Sequence, residues 1–180
     1  MKKFRSVAAA LICAMLLISC NKDDSAGFSG SYSYKTSGTV TLMAKDLAGL
    51  DAQTLAAYKA MGINVDPVTV GLNPEQGQMH VLDGGDGKFI VTFNNILGNA
   101  DVASATIADA VMTLSGTDVK AVQLTDGKET IGSGIVMFGG SGKRYDDMLI
   151  IDLEYKGMVS INGVEMVVTG CNVACVAQKN

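Results

Sequence analysis

His80 is the single histidine of this 180-residue chain, so any serine–histidine–acid mechanism would have to use it. In Met79-His80-Val81 it falls on the strand face opposite its two apolar neighbours. The sequence contains no Gly-x-Ser-x-Gly elbow that could supply the serine nucleophile. We therefore predict an ordinary strand histidine and assign no catalytic residue, so the chain is expected to be non-enzymatic.

A glycine-rich run at Gly139–Arg144 has the composition of a phosphate-binding loop. That motif requires glycine five positions before its Gly-Lys pair, where this chain has Met137. It also requires serine or threonine after the lysine, where this chain has Arg144. The run therefore predicts a hairpin loop without a nucleotide.

Four aspartates in turn-like segments could offer oxygen ligands to Ca²⁺: Asp83, Asp86, Asp146 and Asp147. The run Asp-Gly-Gly-Asp-Gly lacks the alternating acidic positions and the terminal glutamate of a calcium-binding loop. No pair of carboxylates stands out for glycosidase chemistry. We expect solvated turns, with neither a metal nor another cofactor.

Cys171 and Cys175 are separated by three residues near the end of the chain. In an extended strand they would lie ~13 Å apart, whereas a disulfide needs Cα atoms ~4.4–6.8 Å apart. The spacing favours two buried thiols on one apolar strand face. A disulfide across a bend or bulge is the alternative, and a metal site would lack further ligands.

The first residues form a basic and then apolar leader. Lys2, Lys3 and Arg5 precede a run of a dozen apolar residues, 7–18. A bilayer-spanning helix needs about 20 residues, so this run is too short to cross a membrane. The pattern predicts a removable export signal over residues 1–19.

The sequence Leu17-Ile18-Ser19-Cys20 resembles the lipobox of bacterial lipoproteins. The resemblance implies that the signal is cut before Cys20, which then carries diacylglycerol and tethers the protein to a membrane. Lys22-Asp23-Asp24 is similar to the export signal of Bacteroidota surface lipoproteins, which implies an outer-membrane protein exposed on the cell surface. The alternative is a plain acidic linker. Residues 20–30 would be the lipidated cysteine and a flexible spacer.

Residues 31–180 have the length and hydrophobic content of a single domain. Loss of the leader removes three cations and no acid, which lowers the formal net charge from −4 to −7. An acidic chain without a lysine or arginine cluster argues against nucleic-acid binding.

One helix interrupts an otherwise strand-like pattern. Asp51 can cap a helix from Ala52 to about Met61, and Gly62 can end it. The helical spacing predicts a buried face of Leu55, Tyr58 and Met61. Alternating residues elsewhere predict about ten short strands, and Asn162-Gly163 predicts a tight hairpin turn. Thr106–Leu114 is predicted as one strand, and Gly98–Ala103 as a loop.

This pattern predicts a mainly β fold, an antiparallel barrel or barrel-like meander with one short helix after the first strand. The leader, the opening Phe28–Tyr32 strand and the later meander together resemble the calycin-like (lipocalin-type) lipoproteins of Bacteroidota. The helix departs from that pattern, so an α+β fold with a sheet wrapped on the helix stays open.

The resemblance implies binding of a small apolar or amphipathic ligand inside the barrel. Phe89, Val91 and Phe93 alternate along one strand and would border the cavity. The alternative is a surface module that binds a glycan or a protein through an exposed patch at Tyr32 and Tyr34.

Overall fold

The computed structural model describes residues 27–180. Predictions on residues 1–26, including the export signal and lipidation of Cys20, lie outside the described residues. Residues 27–180 form nine strands and one helix in this order: β1 Gly30–Ala44, α1 Ala52–Ala60, β2 Val68–Leu72, β3 Gln76–Gly85, β4 Lys88–Asn95, β5 Ala100–Ala108, β6 Val111–Thr125, β7 Thr130–Tyr145, β8 Met148–Ile161 and β9 Val164–Lys179.

The strands form one antiparallel sheet that closes on itself, which confirms the barrel-like meander. From β3 to β9 each strand pairs with the next, and β9 returns to pair with β1 from Tyr32↔Lys179 to Ala44↔Met166. The first half of β1 pairs with β3, and its second half pairs with β2. β2 also pairs with the end of β6. The barrel therefore has an eight-strand half and a six-strand half.

Glycines allow long strands to approach closely at the tightest points of the barrel. A Cβ atom at Gly38 or at Gly140 would lie 2.2 Å from a carbonyl oxygen of the neighbouring strand. Both residues also have positive φ, +153° and +146°. Any other residue would have to push the strands apart.

Side chains that alternate along the strands meet in one continuous apolar core. On β8 the predicted inward set is confirmed, with Leu149, Ile151, Leu153 and Tyr155 all buried. The Asn162-Gly163 turn is also confirmed, and both residues have the positive φ of a type I′ turn.

The helix α1 forms where its capping residues predicted it. The Asp51 carboxylate accepts a hydrogen bond from the Thr54 backbone N–H at 2.9 Å, and Gly62 has φ +82°. The prediction that this helix buries one face is wrong. None of the nine residues of α1 is buried, and Met61, which follows the helix, is 65% exposed. The α+β alternative fails with it, since the sheet does not wrap on this helix. No helix among residues 27–180 is long and apolar enough to cross a membrane.

Three strand boundaries differ from the predicted ones. Thr106–Leu114 is a hairpin, because Asp109 and Ala110 adopt positive φ and turn the chain between β5 and β6. Gly98–Ala103 is a turn followed by the start of β5. Gly139–Arg144 lies inside β7, because its glycines accept close neighbouring strands instead of making a loop.

Candidate ligand site at the side opening

The barrel wall has a gap where its two halves meet. β6 pairs with β5 through residues 111–114 and with β2 through residues 124–125. Among the strands that the structure describes, none pairs with residues 116–122 of β6 on that edge. Residues 73–75, which connect β2 to β3, cross this gap. We call the gap the side opening.

A lysine and two carboxylates meet behind the side opening. The Lys120 ammonium lies 2.7 Å from a Glu75 carboxylate oxygen and 3.3 Å from one of Asp101. The lysine side chain is only 5% exposed, and the two acids are 23% and 18% exposed. A buried ammonium needs such partners because burial removes its hydration. We call these three residues the charged cluster, and its formal net charge is −1.

Three contacts hold the cluster in place. The backbone N–H of Glu75 donates to the Thr36 hydroxyl at 3.1 Å, and the backbone N–H of Thr36 donates to the Glu75 carbonyl at 2.8 Å. Thr36 is itself buried. Lys120 also lies 5.8 Å from the centre of the Phe138 ring, within range of a cation–π contact. Lys120 and Asp101 lie on strands and Glu75 is hydrogen-bonded to β1, so the sheet sets the position of the charges.

The Tyr34 hydroxyl is buried and has no hydrogen-bond partner among residues 27–180. Burial raises the pKa of Tyr34, and the charges of Glu75, Cys175 and Asp101 raise it further. Burial likewise raises the pKa of Tyr155, with Glu75 again adding to the effect. Both phenols thus lie within electrostatic reach of the acids, and both stay protonated at neutral pH.

A groove of about 310 Å³ lies on the outside of the opening. Its lining residues come from β1, from the β2–β3 connection and the start of β3, and from the end of β4 and the turn after it: Lys35, Pro74, Glu75, Gln76, Asn95, Ile96 and Leu97. We call it the side groove. Glu75 belongs to both the groove and the charged cluster, so the two share this residue.

The apolar part of the side groove is held out in solvent by its own turn. Ile96 is 69% exposed and Leu97 is 80% exposed. The Asn95 side-chain oxygen accepts from the backbone N–H of Leu97 and of Asn99, both at 3.0 Å. The backbone N–H of Ile96 donates to the Gln76 carbonyl at 3.0 Å. Large apolar side chains fixed in this way beside an ionic cluster make an amphipathic surface.

Three residues were predicted to border an internal cavity, and all three belong to the packed core, although Phe89 also lines a groove of about 490 Å³ between β4, β5 and β6. Phe89, Val91 and Phe93 point inward as expected, but they are at most 4% exposed. The Phe93 ring meets the rings of Tyr34 and Phe138 edge-on, with centroids 5.5 and 6.1 Å apart. These positions contribute packing energy, and their inward direction is the part of the prediction that the structure confirms.

The exposed tyrosine patch predicted for a surface module is wrong. Tyr32 is fully buried, with its hydroxyl donating to the Phe28 carbonyl at 2.6 Å, and Tyr34 is 3% exposed. Both side chains face inward because the first strand has its apolar face toward the core. Tyr34 packs against the Phe93 ring, and its buried hydroxyl has no hydrogen-bond partner among residues 27–180.

The histidine, metal and cysteine candidates from the sequence do not form a site together. His80 lies opposite the buried Met79 and Val81 and shares a 2.9 Å hydrogen bond with the Ser31 hydroxyl. Among residues 27–180, no group of three or more His, Cys, Asp or Glu side chains could hold a metal ion. Cys171 and Cys175 are free thiols, as predicted, but only Cys175 is buried and Cys171 is half-buried. Burial raises the pKa of Cys175 to about 12, so its thiol is a poor nucleophile.

The sequence reasoning did not identify Lys120, Glu75 or Asp101 as site residues. A signal for Lys120 exists, because it alternates with Val122 and Leu124 on the inward face of β6. A lysine on an otherwise apolar face requires a charged partner. Which acids supply that partner depends on the barrel closure, and this is not visible in local spacing.

A second apolar surface lies on the outside of the six-strand half. Val119 pairs with Met137 and Ile135 pairs with Met158, so these four side chains are neighbours on the outer face of β6, β7 and β8. They are 60%, 44%, 70% and 46% exposed, respectively. A groove of about 500 Å³ runs along them. We call these four residues the outer apolar face.

Comparison of the chain with known protein families, curated proteins and solved structures found no match. The site therefore has to be interpreted from its own geometry.

Proposed function

We propose that this protein is a lipid-anchored bacterial cell-envelope protein that binds a small amphipathic molecule at the side groove. It acts by binding and not by catalysis. The observation that carries the proposal is the side groove itself, where exposed Ile96 and Leu97 adjoin the charged cluster through Glu75. A molecule with an apolar tail and a polar end fits both halves of this surface.

The lipidated, surface-exposed location rests on the sequence alone. The lipobox resemblance at Cys20 and the Lys-Asp-Asp run after it support a surface-exposed outer-membrane lipoprotein. The leader, the opening strand and the meander together support the calycin-like type. Incorporation of labelled palmitate into the protein in its source cells tests this part. Loss of the label in Cys20→Ser is the expected result, and retained label would contradict it.

A dye titration tests the binding part. Every core residue lies between Phe28 and Ala177, so a chain starting at residue 21 retains the whole core. N-phenyl-1-naphthylamine fluoresces when it leaves water, and we expect a saturable increase with one site per chain. The double substitution Ile96→Ser and Leu97→Ser should weaken binding by about tenfold or more, because it removes two apolar contacts.

The matched control is a double substitution, Val119→Ser and Ile135→Ser, on the outer apolar face, which should leave dye binding unchanged. The opposite pattern would reject the side groove and favour a second candidate function. In that function the outer apolar face binds a partner protein, as favoured by its four adjoining exposed apolar side chains. Absence of any saturable signal would reject small-molecule binding altogether.

A further inference from the structure

The side groove ends in a turn whose apolar side chains project into solvent. We propose that this turn, Ile96–Leu97, inserts into the same bilayer that holds the lipid of Cys20, which places the mouth of the groove at the bilayer surface. This inference rests on the proposed function and adds the partner of its site, the membrane that carries the protein. It follows from the reach of the chain before the barrel, from the position of the groove along β1 and from the chemistry of its rim.

The chain between the lipidated cysteine and the barrel is short. Gly27 follows Cys20 by seven residues, and an extended chain spans at most ~3.6 Å per residue, so this tether reaches about 25 Å. Gly27 itself is fixed to the barrel, because its carbonyl accepts a hydrogen bond from the Lys179 ammonium at 3.0 Å. The end of the barrel that carries Gly27 is therefore held within about 25 Å of the lipid.

The side groove lies within the same reach. Its lining includes Lys35, which follows the first residue of β1, Gly30, by five residues, or about 17 Å along the strand. Lys35 pairs with Gln76, whose carbonyl accepts from the backbone N–H of Ile96, so the Ile96–Leu97 turn lies at this level of the barrel. A barrel tilted toward this side brings the turn to the bilayer without exceeding the length of the tether.

The rim of the groove has the chemistry of a bilayer contact. Leu97 and Ile96 are 80% and 69% exposed, and Leu97 is the most exposed large apolar residue among residues 27–180. Hydrogen bonds to the backbone N–H groups of their turn fix its shape, so insertion orders little additional backbone. Lys35, exposed in the same lining, can contact lipid phosphates, while Glu75 is already paired with Lys120 at 2.7 Å.

The outer apolar face is the competing surface for a bilayer contact. Its most exposed residue, Ile135, lies on β7, three strands away from β4 around the barrel wall. Gly27 lies against the Arg144 side chain, so β7 ends with Tyr145 at the barrel end that carries the tether. Ile135 precedes Tyr145 by ten residues, or about 34 Å along the strand, which is twice the corresponding distance for Lys35. The tether therefore favours the side groove over this face.

Single tryptophans test the inference, because the chain contains no tryptophan of its own. Leu97→Trp and the matched control Ile135→Trp are each made in the full-length protein with its lipid. Both are reconstituted in vesicles of phosphatidylethanolamine and phosphatidylglycerol with brominated phosphatidylcholine, whose acyl-chain bromines quench tryptophan that enters the bilayer. We expect Leu97→Trp to emit at shorter wavelength and to lose most of its emission, and Ile135→Trp to emit as in water. Both positions are exposed, so both variants should fold, and a thermal melt of each checks this.

The outcomes separate the inference from the proposed function. If Cys20 takes up no palmitate, or if the dye does not bind at the side groove, the proposed function is wrong and the inference falls with it. If both are observed but Leu97→Trp emits as in water, only the inference is overturned. Quenching of Ile135→Trp, alone or to the same extent as Leu97→Trp, also overturns it, because the bilayer would then contact the outer apolar face.

Discussion

The barrel interior contains two neighbouring regions that satisfy buried groups in different ways. In one, Tyr34, Phe93 and Phe138 pack ring edge to ring face. In the other, Lys120 is held by Glu75 and Asp101 behind the side opening. Phe138 touches both, because its ring also lies under the ammonium. The aromatic region stabilises the fold without needing a partner. The charged region shares Glu75 with the lining of the side groove, so it is the region to which we assign the proposed binding.

The largest stability effect is expected in the aromatic region. Phe93→Ala should lower the free energy of unfolding by about 3–5 kcal/mol, since it removes a buried ring that contacts two others. Urea unfolding measures this change. Ile90→Ala on the outward face of the same strand is the control and should change stability by less than about 1 kcal/mol. Similar losses at both positions would show that the interior is loosely packed.

The second largest stability effect is expected on removing the Lys120 charge, which distinguishes the charged region from an apolar core. Lys120→Met leaves Glu75 and Asp101 without their cation and should destabilise the fold by about 1–3 kcal/mol, a value reduced because both acids are partly exposed. Adding Glu75→Gln and Asp101→Asn to that variant should restore much of the loss. If the triple variant stays as unstable as Lys120→Met, the lysine stem and not its charge supports the barrel.

The exposed pair Lys45–Glu165 provides the matched comparison for that experiment. Its atoms are also 2.7 Å apart, but its side chains are 49% and 59% exposed. Lys45→Met should therefore have a much smaller effect than Lys120→Met, because water already solvates both charges. Equal effects would mean that burial does not distinguish the two ion pairs.

These two regions differ in how far the sequence could predict them. Alternation along β4 and β8 predicts their inward residues, because side-chain direction in a strand is a local property. Capping residues predict α1 for the same reason, although its lack of packing depends on the whole fold. The meeting of Glu75, Asp101 and Lys120 arises from three distant segments and from the gap between β5 and β2. The sequence predicts a loop at the glycines inside β7, because only the closed barrel shows which strand lies against them.

A smaller, pH-dependent effect is expected at Cys175, which faces the charged region from β9. Burial raises its pKa from about 9 to about 12, so the unfolded chain loses this proton at lower pH than the folded one. Stability from this thiol is therefore complete below pH 9 and is lost as the pH rises from 9 to 12. Between pH 9 and 10 the loss should be about 1 kcal/mol.

Unfolding midpoints of the native chain and of Cys175→Ala across that pH range measure the contribution of the thiol. The variant should show a shallower decline than the native chain, whatever its stability at neutral pH. Cys171→Ala should change the slope less, because Cys171 is only half-buried. Parallel slopes for all three proteins would mean that Cys175 is as accessible to water in the folded barrel as in the unfolded chain.

The smallest effect is expected at α1, which belongs to neither interior region. Met61→Ser, at the C-terminal end of this helix, should change the free energy of unfolding by less than about 0.5 kcal/mol, because 65% of the Met61 side chain already contacts water. A cost of 2 kcal/mol or more would show that the helix packs on another surface in solution. The outer apolar face would then be the expected packing surface for the helix, because its exposed apolar side chains would become buried by that contact.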